Sequence, residues 1–146
     1  MIIVISERMI YMKVIKHSRQ REAIFKFLAS RKDHPTAEFI YTNVKKDYPK
    51  ISLGTVYRNL ALLEELGEIQ KISCGGGVEH FDADTSPHYH FICNKCKNVL
   101  DIEMDNMDFL NTLAATNFDG IIERHTAFFY GLCPKCKNDN KNEKNY

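Results

Sequence analysis

The sequence predicts an α+β protein in which an N-terminal winged helix-turn-helix domain precedes a small C-terminal α/β domain. Three helical patterns followed by a glycine-rich hairpin predict the first domain, and short strand-like runs around one helix predict the second. The charge changes near the same place: residues 1–74 carry 13 Lys and Arg against 8 Asp and Glu, whereas residues 75–146 carry 7 against 11. The basic half favours a polyanion partner, and the acidic half, with four of the five cysteines, favours bound cations.

Each of the three helical patterns begins at a residue that can act as its N-cap. Ser18, Thr36 and Ser52 precede the three patterns, and their hydroxyls can accept hydrogen bonds from the first turn of each helix. The third pattern ends near Gly67. The positions expected to be buried are Ile24, Phe27 and Leu28 in the first helix, Phe39, Ile40 and Val44 in the second, and Leu53, Val56, Leu60 and Leu63 in the third.

Two strand-like runs, Glu68–Ser73 and Val78–Ala83, follow the helices and are joined by Gly75, Gly76 and Gly77. Glycines at a tight hairpin supply the positive φ values that other residues rarely adopt. Three short helices and a β-hairpin are the element order of a winged helix-turn-helix, whose third helix enters the major groove of DNA. A small helical domain without a ligand is the alternative.

The polar face of the third helix contains the candidate DNA contacts. Tyr57 and Arg58 are the first candidates, followed by Thr55 and Asn59. Arg58 lies opposite the apolar stripe, where it can reach a base edge or a phosphate. Tyr57 could instead pack at the edge of the helix interface.

The C-terminal segment predicts a β-β-α-β unit. Its strands are expected at Tyr89–Cys93, Asn98–Glu103 and Ile121–Tyr130, with a helix at about 106–117. A unit of this size has too little core to be comfortably stable alone, so we expect a metal, a partner subunit, or both. The predicted boundaries are 1–83 for the DNA-binding domain, 84–87 for a hinge, 88–136 for the metal-binding domain and 137–146 for a disordered tail. Residues 1–12 are a possible extension, since Met12 can equally be a start.

Two Cys-x-x-Cys pairs predict a structural zinc site. Cys93 and Cys96 form the first pair, Cys133 and Cys136 form the second, and 36 residues lie between them. Four thiolates suit tetrahedral zinc and leave no open position for water. Two disulfides or free thiols are the alternative. The role of Cys74 is left open, with a small apolar residue as the simplest interpretation.

His88 and His90 form the start of a second, chemically different site. In a strand, a two-residue spacing puts both imidazoles on one face, where they can converge on one point. Candidate co-ligands are Asp82 at the end of the hairpin, Asp101 on the next strand and His34 in the helical domain. Imidazole and carboxylate donors suit Fe²⁺, Mn²⁺ or Zn²⁺ and discriminate weakly among them. A metal held by all five residues would join the two domains. In a dimer, occupancy of this metal site would set the separation of the two DNA-recognition helices.

Composition and motifs disfavour several other classes of protein. No apolar run reaches membrane-spanning length, and the opening Met-Ile-Ile-Val-Ile is too short for a signal-peptide core, so a cytoplasmic protein is expected. A metal-dependent hydrolase would also use His and Asp, but the chain has no His-Glu-x-x-His and no evident general base, so we expect no enzyme. A zinc-binding interaction module remains a third alternative.

The motifs in combination resemble the ferric uptake regulator family, and the resemblance runs from about His17 to Cys136. It is carried by the stretch from Ile51 to Leu60, by His88-x-His90-x-x-Cys93-x-x-Cys96 and by the closing Cys133-x-x-Cys136. The resemblance implies a homodimeric winged-helix repressor of transcription that binds operator DNA. It also implies a C-terminal dimerisation domain, a structural Zn²⁺ on the four cysteines and a regulatory metal at the domain junction.

Within the family, the chain is most similar to the peroxide-responsive branch, which implies a regulatory metal on His34, Asp82, His88, His90 and Asp101. Iron-sensing relatives usually have Glu where this chain has Asp101. The resemblance further implies that Fe²⁺ at this site reacts with hydrogen peroxide, that His34 or His88 is oxidised, and that the repressor then leaves DNA. Mn²⁺ would fill the site without that reaction. A regulator of iron, manganese or zinc homeostasis is the alternative, and His125 is either a remnant ligand of an additional site or a strand residue.

Overall fold

The structure is a computed structural model that describes residues 16–73 and 75–142. The choice between Met1 and Met12, the possible extension at residues 1–12, Cys74 and residues 143–146 lie outside the described residues. The elements run in the order α1 (Arg19–Ala29), α2 (Ala37–Val44), α3 (Leu53–Glu65), β1 (Gln70–Ser73), β2 (Glu79–Asp82), β3 (Tyr89–Cys93), β4 (Val99–Ile102), α4 (Phe109–Ala115), β5 (Phe128–Gly131) and α5 (Pro134–Asn142).

The three predicted N-caps are confirmed. The side chains of Ser18, Thr36 and Ser52 each accept a hydrogen bond from a backbone N–H in the first turn of α1, α2 and α3 respectively. The buried faces of these helices form one core with Ile51, Ile69 and Phe81. The helical residues of this core are Ile24, Leu28, Ala37, Ile40, Val44, Val56, Leu60 and Leu63.

One predicted core position is wrong. Phe39 is 45% exposed, because Ile40 and Val44, one helical turn apart, define the buried stripe of α2 and Phe39 lies beside it. Its ring instead packs near Phe27, with ring centroids 6.1 Å apart, and beneath the guanidinium of Arg31. Phe27 and Leu53 are half-buried rather than fully buried.

The glycine-rich turn forms the predicted hairpin. Strands β1 and β2 pair antiparallel, with Ser73 opposite Glu79, and Gly75, Gly76 and Gly77 all have positive φ. Ile72 of β1 packs with Ile92 and Val99 of the second sheet, so the hairpin shares a small core with the C-terminal half.

The C-terminal sheet has the order β4-β3-β5, with β4 antiparallel and β5 parallel to β3. The predicted strand Ile121–Tyr130 is too long: residues 121–127 form no strand, and β5 begins at Phe128. The side chains of segment 121–127 are mostly exposed, including Ile121 at 90%. Its β-branched residues therefore lack the packing against neighbouring residues that makes such residues favourable in strands. Helix α4 is likewise shorter than expected.

The sequence predicts a disordered tail at residues 137–146, whereas the structure has helix α5 as far as Asn142. Helix α5 begins at Pro134, inside the second cysteine pair, and the N–H of Lys137 donates to the carbonyl of Cys133 at 2.9 Å. Proline is favoured in the first helical turn, which explains how a helix starts here despite the polar sequence that follows. None of the helices in the described part of the chain has the length and apolar character needed to cross a membrane.

Candidate metal centres and nucleic-acid interface

Five side chains from separate segments meet between the two sheets. His34 comes from the loop between α1 and α2, Asp82 ends β2, His88 precedes β3, His90 lies in β3 and Asp101 lies in β4. One ligand atom of each lies within 4.8 Å of every other, and His90 and Asp101 are direct cross-strand partners. The structure thus brings together all five residues of the predicted regulatory set.

One oxygen of each carboxylate faces all three imidazoles. The distances to Asp101 Oδ1 are 2.9 Å from His34 Nε2, 3.2 Å from His88 Nε2 and 3.7 Å from His90 Nε2. The distances to Asp82 Oδ2 from the same three nitrogens are 3.3, 3.0 and 3.6 Å.

The chemistry of this donor set fits a divalent cation. The three Nε2 atoms are buried and, among the described residues, lie at ion-pair distance from the carboxylates without the geometry of a hydrogen bond. Metal–ligand bonds of about 2.0–2.2 Å place opposite ligands roughly 4.0–4.4 Å apart, close to the observed spread. Two carboxylates balance the charge of the ion, and three neutral imidazoles complete a shell that suits Fe²⁺, Mn²⁺ or Zn²⁺.

Backbone carbonyls orient two of the imidazoles. His34 Nδ1 lies 3.2 Å from the carbonyl of Val99, and His88 Nδ1 lies 2.8 Å from the carbonyl of Ser86. A carbonyl can only accept, so Nδ1 carries a proton in both rings and Nε2 faces the cluster, where its lone pair is available to a metal once Nε2 is unprotonated.

The electrostatics of the cluster also favour a cation. Burial alone would lower the pKa of His34, but Asp82 and Asp101 outweigh it, and the pKa is raised above its ordinary value. Burial alone would raise the pKa of Asp82, but the neighbouring imidazoles of His34 and His90 hold it far below its ordinary range. The Asp82 carboxylate is therefore charged at neutral pH. The raised pKa of His34 favours a proton on its ring, and a metal would have to displace that proton.

Solvent reaches the cluster from one side. The side chains of His34, Asp82 and His90 are 7% exposed or less, whereas His88 is 16% and Asp101 is 32% exposed. A small solute can approach through the edge formed by His88 and Asp101.

The four predicted cysteines form a second cluster at the end of the C-terminal sheet. Cys93, Cys96, Cys133 and Cys136 are all free thiols, and their sulfur atoms lie within 4.8 Å of one another. Cys96 Sγ and Cys133 Sγ are 3.8 Å apart. Tetrahedral zinc with Zn–S bonds of about 2.3 Å requires sulfurs roughly 3.8 Å apart. The geometry suits a closed zinc site and excludes a disulfide between Cys96 and Cys133, which needs an S–S distance of about 2.05 Å.

Parallel pairing of β3 and β5 brings the two cysteine pairs together. Cys93 ends β3 opposite Gly131, the last residue of β5, and the N–H of Asn94 donates to the Gly131 carbonyl at 2.7 Å. Because parallel strands end at the same edge, Cys133 leaves the sheet beside Cys93. Lys97, with φ of 64°, turns the chain back after Cys96.

The cysteine environments are strongly asymmetric. The backbone N–H groups of Cys133 and Cys96 lower the pKa of Cys93 to about 6. Burial and the neighbouring thiols raise the pKa of Cys136 to about 12. Four adjacent thiolates repel one another, so full ionisation requires the compensating charge of a cation.

The predicted DNA contacts lie on the exposed side of α3. Tyr57 and Arg58 are exposed, whereas Thr55 and Asn59 are half-buried. Arg58 Nη2 donates to Thr55 Oγ1 at 3.0 Å, and Asn59 donates to the carbonyl of Thr55 at 2.9 Å. The Tyr57 hydroxyl donates to Glu38 of α2 at 2.6 Å, so Tyr57 also links the two helices. This face combines the guanidinium of Arg58 with polar groups of the kinds that contact phosphates and base edges in other proteins.

His125 lies outside both clusters of candidate ligands. It is not a strand residue, because β5 begins three residues later. Its Nε2 lies 2.6 Å from the Tyr89 hydroxyl and its Nδ1 lies 2.8 Å from Asn111 Oδ1, so both ring nitrogens have partners.

His80 lies beside the first cluster, although it was not among the residues predicted for the site. Its Nδ1 lies 2.6 Å from the carbonyl of His34, directly behind the first cluster. The sequence does indicate its position, because alternate residues of a strand lie on the same face and His80 precedes Asp82 by two residues.

Comparisons with known proteins agree with this architecture. The model of the Ferric uptake regulator family matches residues 13–127. The Peroxide-responsive repressor PerR of Staphylococcus epidermidis is 35% identical over 127 residues, covering 86% of this chain and 83% of that protein. The crystal structure of the Campylobacter jejuni peroxide stress regulator superposes with a TM-score of 0.69 at 29% identity, covering 80% of this chain and 88% of that chain. A zinc-bound manganese uptake regulator superposes with a TM-score of 0.64 at 26% identity, covering 82% and 92%.

Proposed function

Because the chain belongs to the ferric uptake regulator family, we propose that it is a metal-dependent repressor of transcription that senses hydrogen peroxide. The observation that carries the proposal is the buried convergence of three imidazoles and two carboxylates from the helical half, the hairpin and the C-terminal sheet. A metal bound by all five side chains fixes how α3 is held relative to the C-terminal sheet. In a homodimer, this orientation sets the spacing of the two α3 recognition helices. That spacing must match the spacing of two half-sites on double-stranded operator DNA.

Zinc and the regulatory metal have different roles in this proposal. The four cysteines hold Zn²⁺ permanently, because a closed sulfur shell leaves no position for exchange or chemistry. His34, Asp82, His88, His90 and Asp101 hold Fe²⁺ or Mn²⁺ reversibly, since their shell is open to solvent at His88 and Asp101. This difference separates the structural site from the regulatory site.

The proposed peroxide response depends on the solvent-exposed edge of the regulatory site, at His88 and Asp101. Fe²⁺ held by these residues would activate hydrogen peroxide. The two electrons that reduce the peroxide would come from a C–H bond of the His34 or His88 ring, which would gain one oxygen atom while the other oxygen leaves as water. An oxidised ring is a poorer ligand, so the domain junction loosens and the affinity for DNA falls. The PerR name of the relative from Staphylococcus epidermidis and the Campylobacter jejuni neighbour support this branch over a homeostasis regulator.

Peroxide treatment of the Fe²⁺-loaded, zinc-containing protein tests the sensing step. Peptide mass spectrometry is expected to show the mass of one added oxygen atom on His34 or His88, with the cysteines unmodified. The Mn²⁺-loaded protein is the control and should remain unmodified. Unmodified histidines in the iron form would reject peroxide sensing and favour regulation of iron, manganese or zinc homeostasis, which the manganese uptake neighbour represents.

DNA binding is tested separately, with duplexes selected from a random pool by the Mn²⁺-loaded protein. We expect binding that requires Mn²⁺ and weakens with salt, because Lys and Arg displace counterions from phosphate. Equal affinity with and without Mn²⁺ would contradict metal-dependent repression.

A further inference from the structure

His80 is a half-buried histidine that contributes no ligand atom to either candidate metal cluster. It lies on β2 two residues before Asp82, so both side chains leave the same face of the strand. Its Nδ1 is 2.6 Å from the backbone carbonyl of His34. Because the carbonyl can only accept, His80 Nδ1–H is the donor.

The backbone of His34 is in an unfavourable conformation. Its φ is 46°, in the left-handed region that non-glycine residues rarely adopt, and Pro35 further narrows the conformations open to it. A buried ligand held in this region needs surrounding contacts that stabilise it.

Strand β2 provides those contacts along the whole 34–36 segment. Thr36 forms an isolated bridge with His80, and the N–H of Phe81 donates to the carbonyl of Pro35 at 3.1 Å. His80 adds the contact to His34 itself. At its other end, the His34 ring is held by the carbonyl of Val99. The strand that supplies the ligand Asp82 therefore also holds the backbone of the ligand His34.

We propose that His80 is a positioning residue for the regulatory metal. Its Nδ1–H holds His34 in the left-handed backbone conformation that directs Nε2 toward Asp82 and Asp101, so the site is formed before the metal binds. This role rests on the proposed function, because it requires that the cluster binds a divalent metal. Without the donor, His34 can relax before metal arrives, and binding must then include the cost of restoring it.

Two substitutions separate the hydrogen bond from the bulk of the ring. His80→Phe keeps a planar ring and removes the donor, whereas His80→Asn keeps an N–H near the position of Nδ1. Mn²⁺ binding to the zinc-containing full chain is measured by calorimetry without DNA. We expect His80→Phe to weaken Mn²⁺ binding about 10- to 100-fold, as for other supporting partners of metal ligands. His80→Asn should recover most of the affinity. His80→Leu, which lacks a donor and fills less volume, is measured in parallel in case Phe disturbs the fold.

A second readout uses the protein without Mn²⁺. Amide exchange of Phe81, whose N–H bonds to Pro35, should accelerate in His80→Phe and return toward the wild-type rate in His80→Asn. His17→Phe is the control, because His17 is exposed and distant in sequence from the site; it should change neither quantity. Zinc content should be the same in all variants.

The outcomes separate this role from the proposed function. If wild type binds Mn²⁺ and the Phe and Leu variants bind it equally well, His80 is not a positioning residue. The same conclusion follows if Asn weakens binding as much as Phe. If wild type itself binds no Mn²⁺, the regulatory site is wrong and the role of His80 is lost with it.

Discussion

At the scale of single residues, the two metal sites differ in how their ligands are prepared. The His34 and His88 imidazoles are turned by backbone carbonyls so that their Nε2 lone pairs enter the cluster. The thiol of Cys93 is prepared by backbone N–H groups, which favour the thiolate. Both sites thus rely on the main chain to select the protonation state that binds metal.

Mn²⁺ affinity should rise with pH across the neutral range. His34 has a raised pKa in the metal-free protein, so its proton must leave before Nε2 can bind metal. One displaced proton gives up to about a tenfold gain in affinity per pH unit below that pKa, and the gain should level off above it. Calorimetry in buffers of different ionisation enthalpy measures both the affinity and the protons released. Affinity that is flat with pH and accompanied by no proton release would show that His34 is not a ligand.

The raised pKa of His34 affects the stability of the metal-free protein in the opposite direction: its contribution decreases as pH rises. Protonated His34 stabilises the site through Asp82 and Asp101, and this contribution is present at low pH and lost as pH rises through the raised pKa. Asp82, with its depressed pKa, contributes stability that is present above its unfolded pKa and lost in acid.

Arg58→Ala should weaken DNA binding. Arg58 is exposed on α3, and loss of a base contact costs about 1–3 kcal/mol, whereas loss of a phosphate contact reduces the salt slope by about one. Fluorescence anisotropy with the selected duplex measures both quantities. Arg124→Ala, also exposed but in the acidic half, removes the same charge and should have little effect. Unchanged affinity of Arg58→Ala, or an equal loss for both variants, would reject a specific contact.

At the scale of elements, the parallel pairing of β3 and β5 decides the zinc site. The strands are separated by β4, α4 and a long connection, yet their ends coincide and place the two cysteine pairs side by side. In contrast, β2, β3 and β4 each supply one of the five candidate ligands of the regulatory site, and His88 lies directly before β3.

Helix α4 is the element with the clearest unpaired apolar face. It has no buried residue, and Phe109 and Leu113, one helical turn apart, are 63% and 64% exposed. We expect this face to pack against the partner in the proposed homodimer. Phe109→Asp together with Leu113→Asp should shift the zinc-containing protein toward monomer in sedimentation experiments, because a buried charge without a partner is costly. The control changes Ala114 and Ala115, which are exposed on the other side of α4, to Asp; an unchanged dimer in the apolar pair would exclude α4 from the interface.

At the scale of the whole molecule, the regulatory site lies where the helical half and the C-terminal sheet meet. The hairpin belongs to both, since Phe81 joins the helical core and Ile72 packs with Ile92 and Val99. A metal bound at this junction would therefore influence how α3 is oriented relative to the C-terminal sheet, as the proposed switch of DNA affinity requires.

Removal of zinc should have a larger effect on stability than removal of the regulatory metal. Cys93, Cys133 and Cys136 are buried at the end of a sheet that has only a small core, so Cys133→Ser should abolish zinc binding and unfold the C-terminal half. His90→Ala should retain zinc and lose Mn²⁺ binding. Metal analysis and circular dichroism distinguish the two variants. A folded, dimeric Cys133→Ser protein would contradict the structural role of zinc.

Much of the architecture could be predicted from the sequence because its signals are local. N-caps at Ser18, Thr36 and Ser52 and the triple glycine act within a few residues, and the structure confirms each of them. Predictions were wrong where tertiary burial decides, as for Phe39 and for segment 121–127. The domain boundaries and the roles of the individual site residues remain predictions.

The available metal donors can be read from the sequence, because imidazole, carboxylate and thiol chemistry belongs to the residue type, and because the short spacings of His88, His90 and the cysteine pairs keep these residues close together in any fold. The pairing of Asp101 with His90 on adjacent strands, and the entry of the distant His34 into the same cluster, depend on the three-dimensional structure. It also decided that His80 lies behind His34. The physical reason is that a metal shell is a set of distances between side chains, and long-range distances are set by strand register and packing rather than by local propensity.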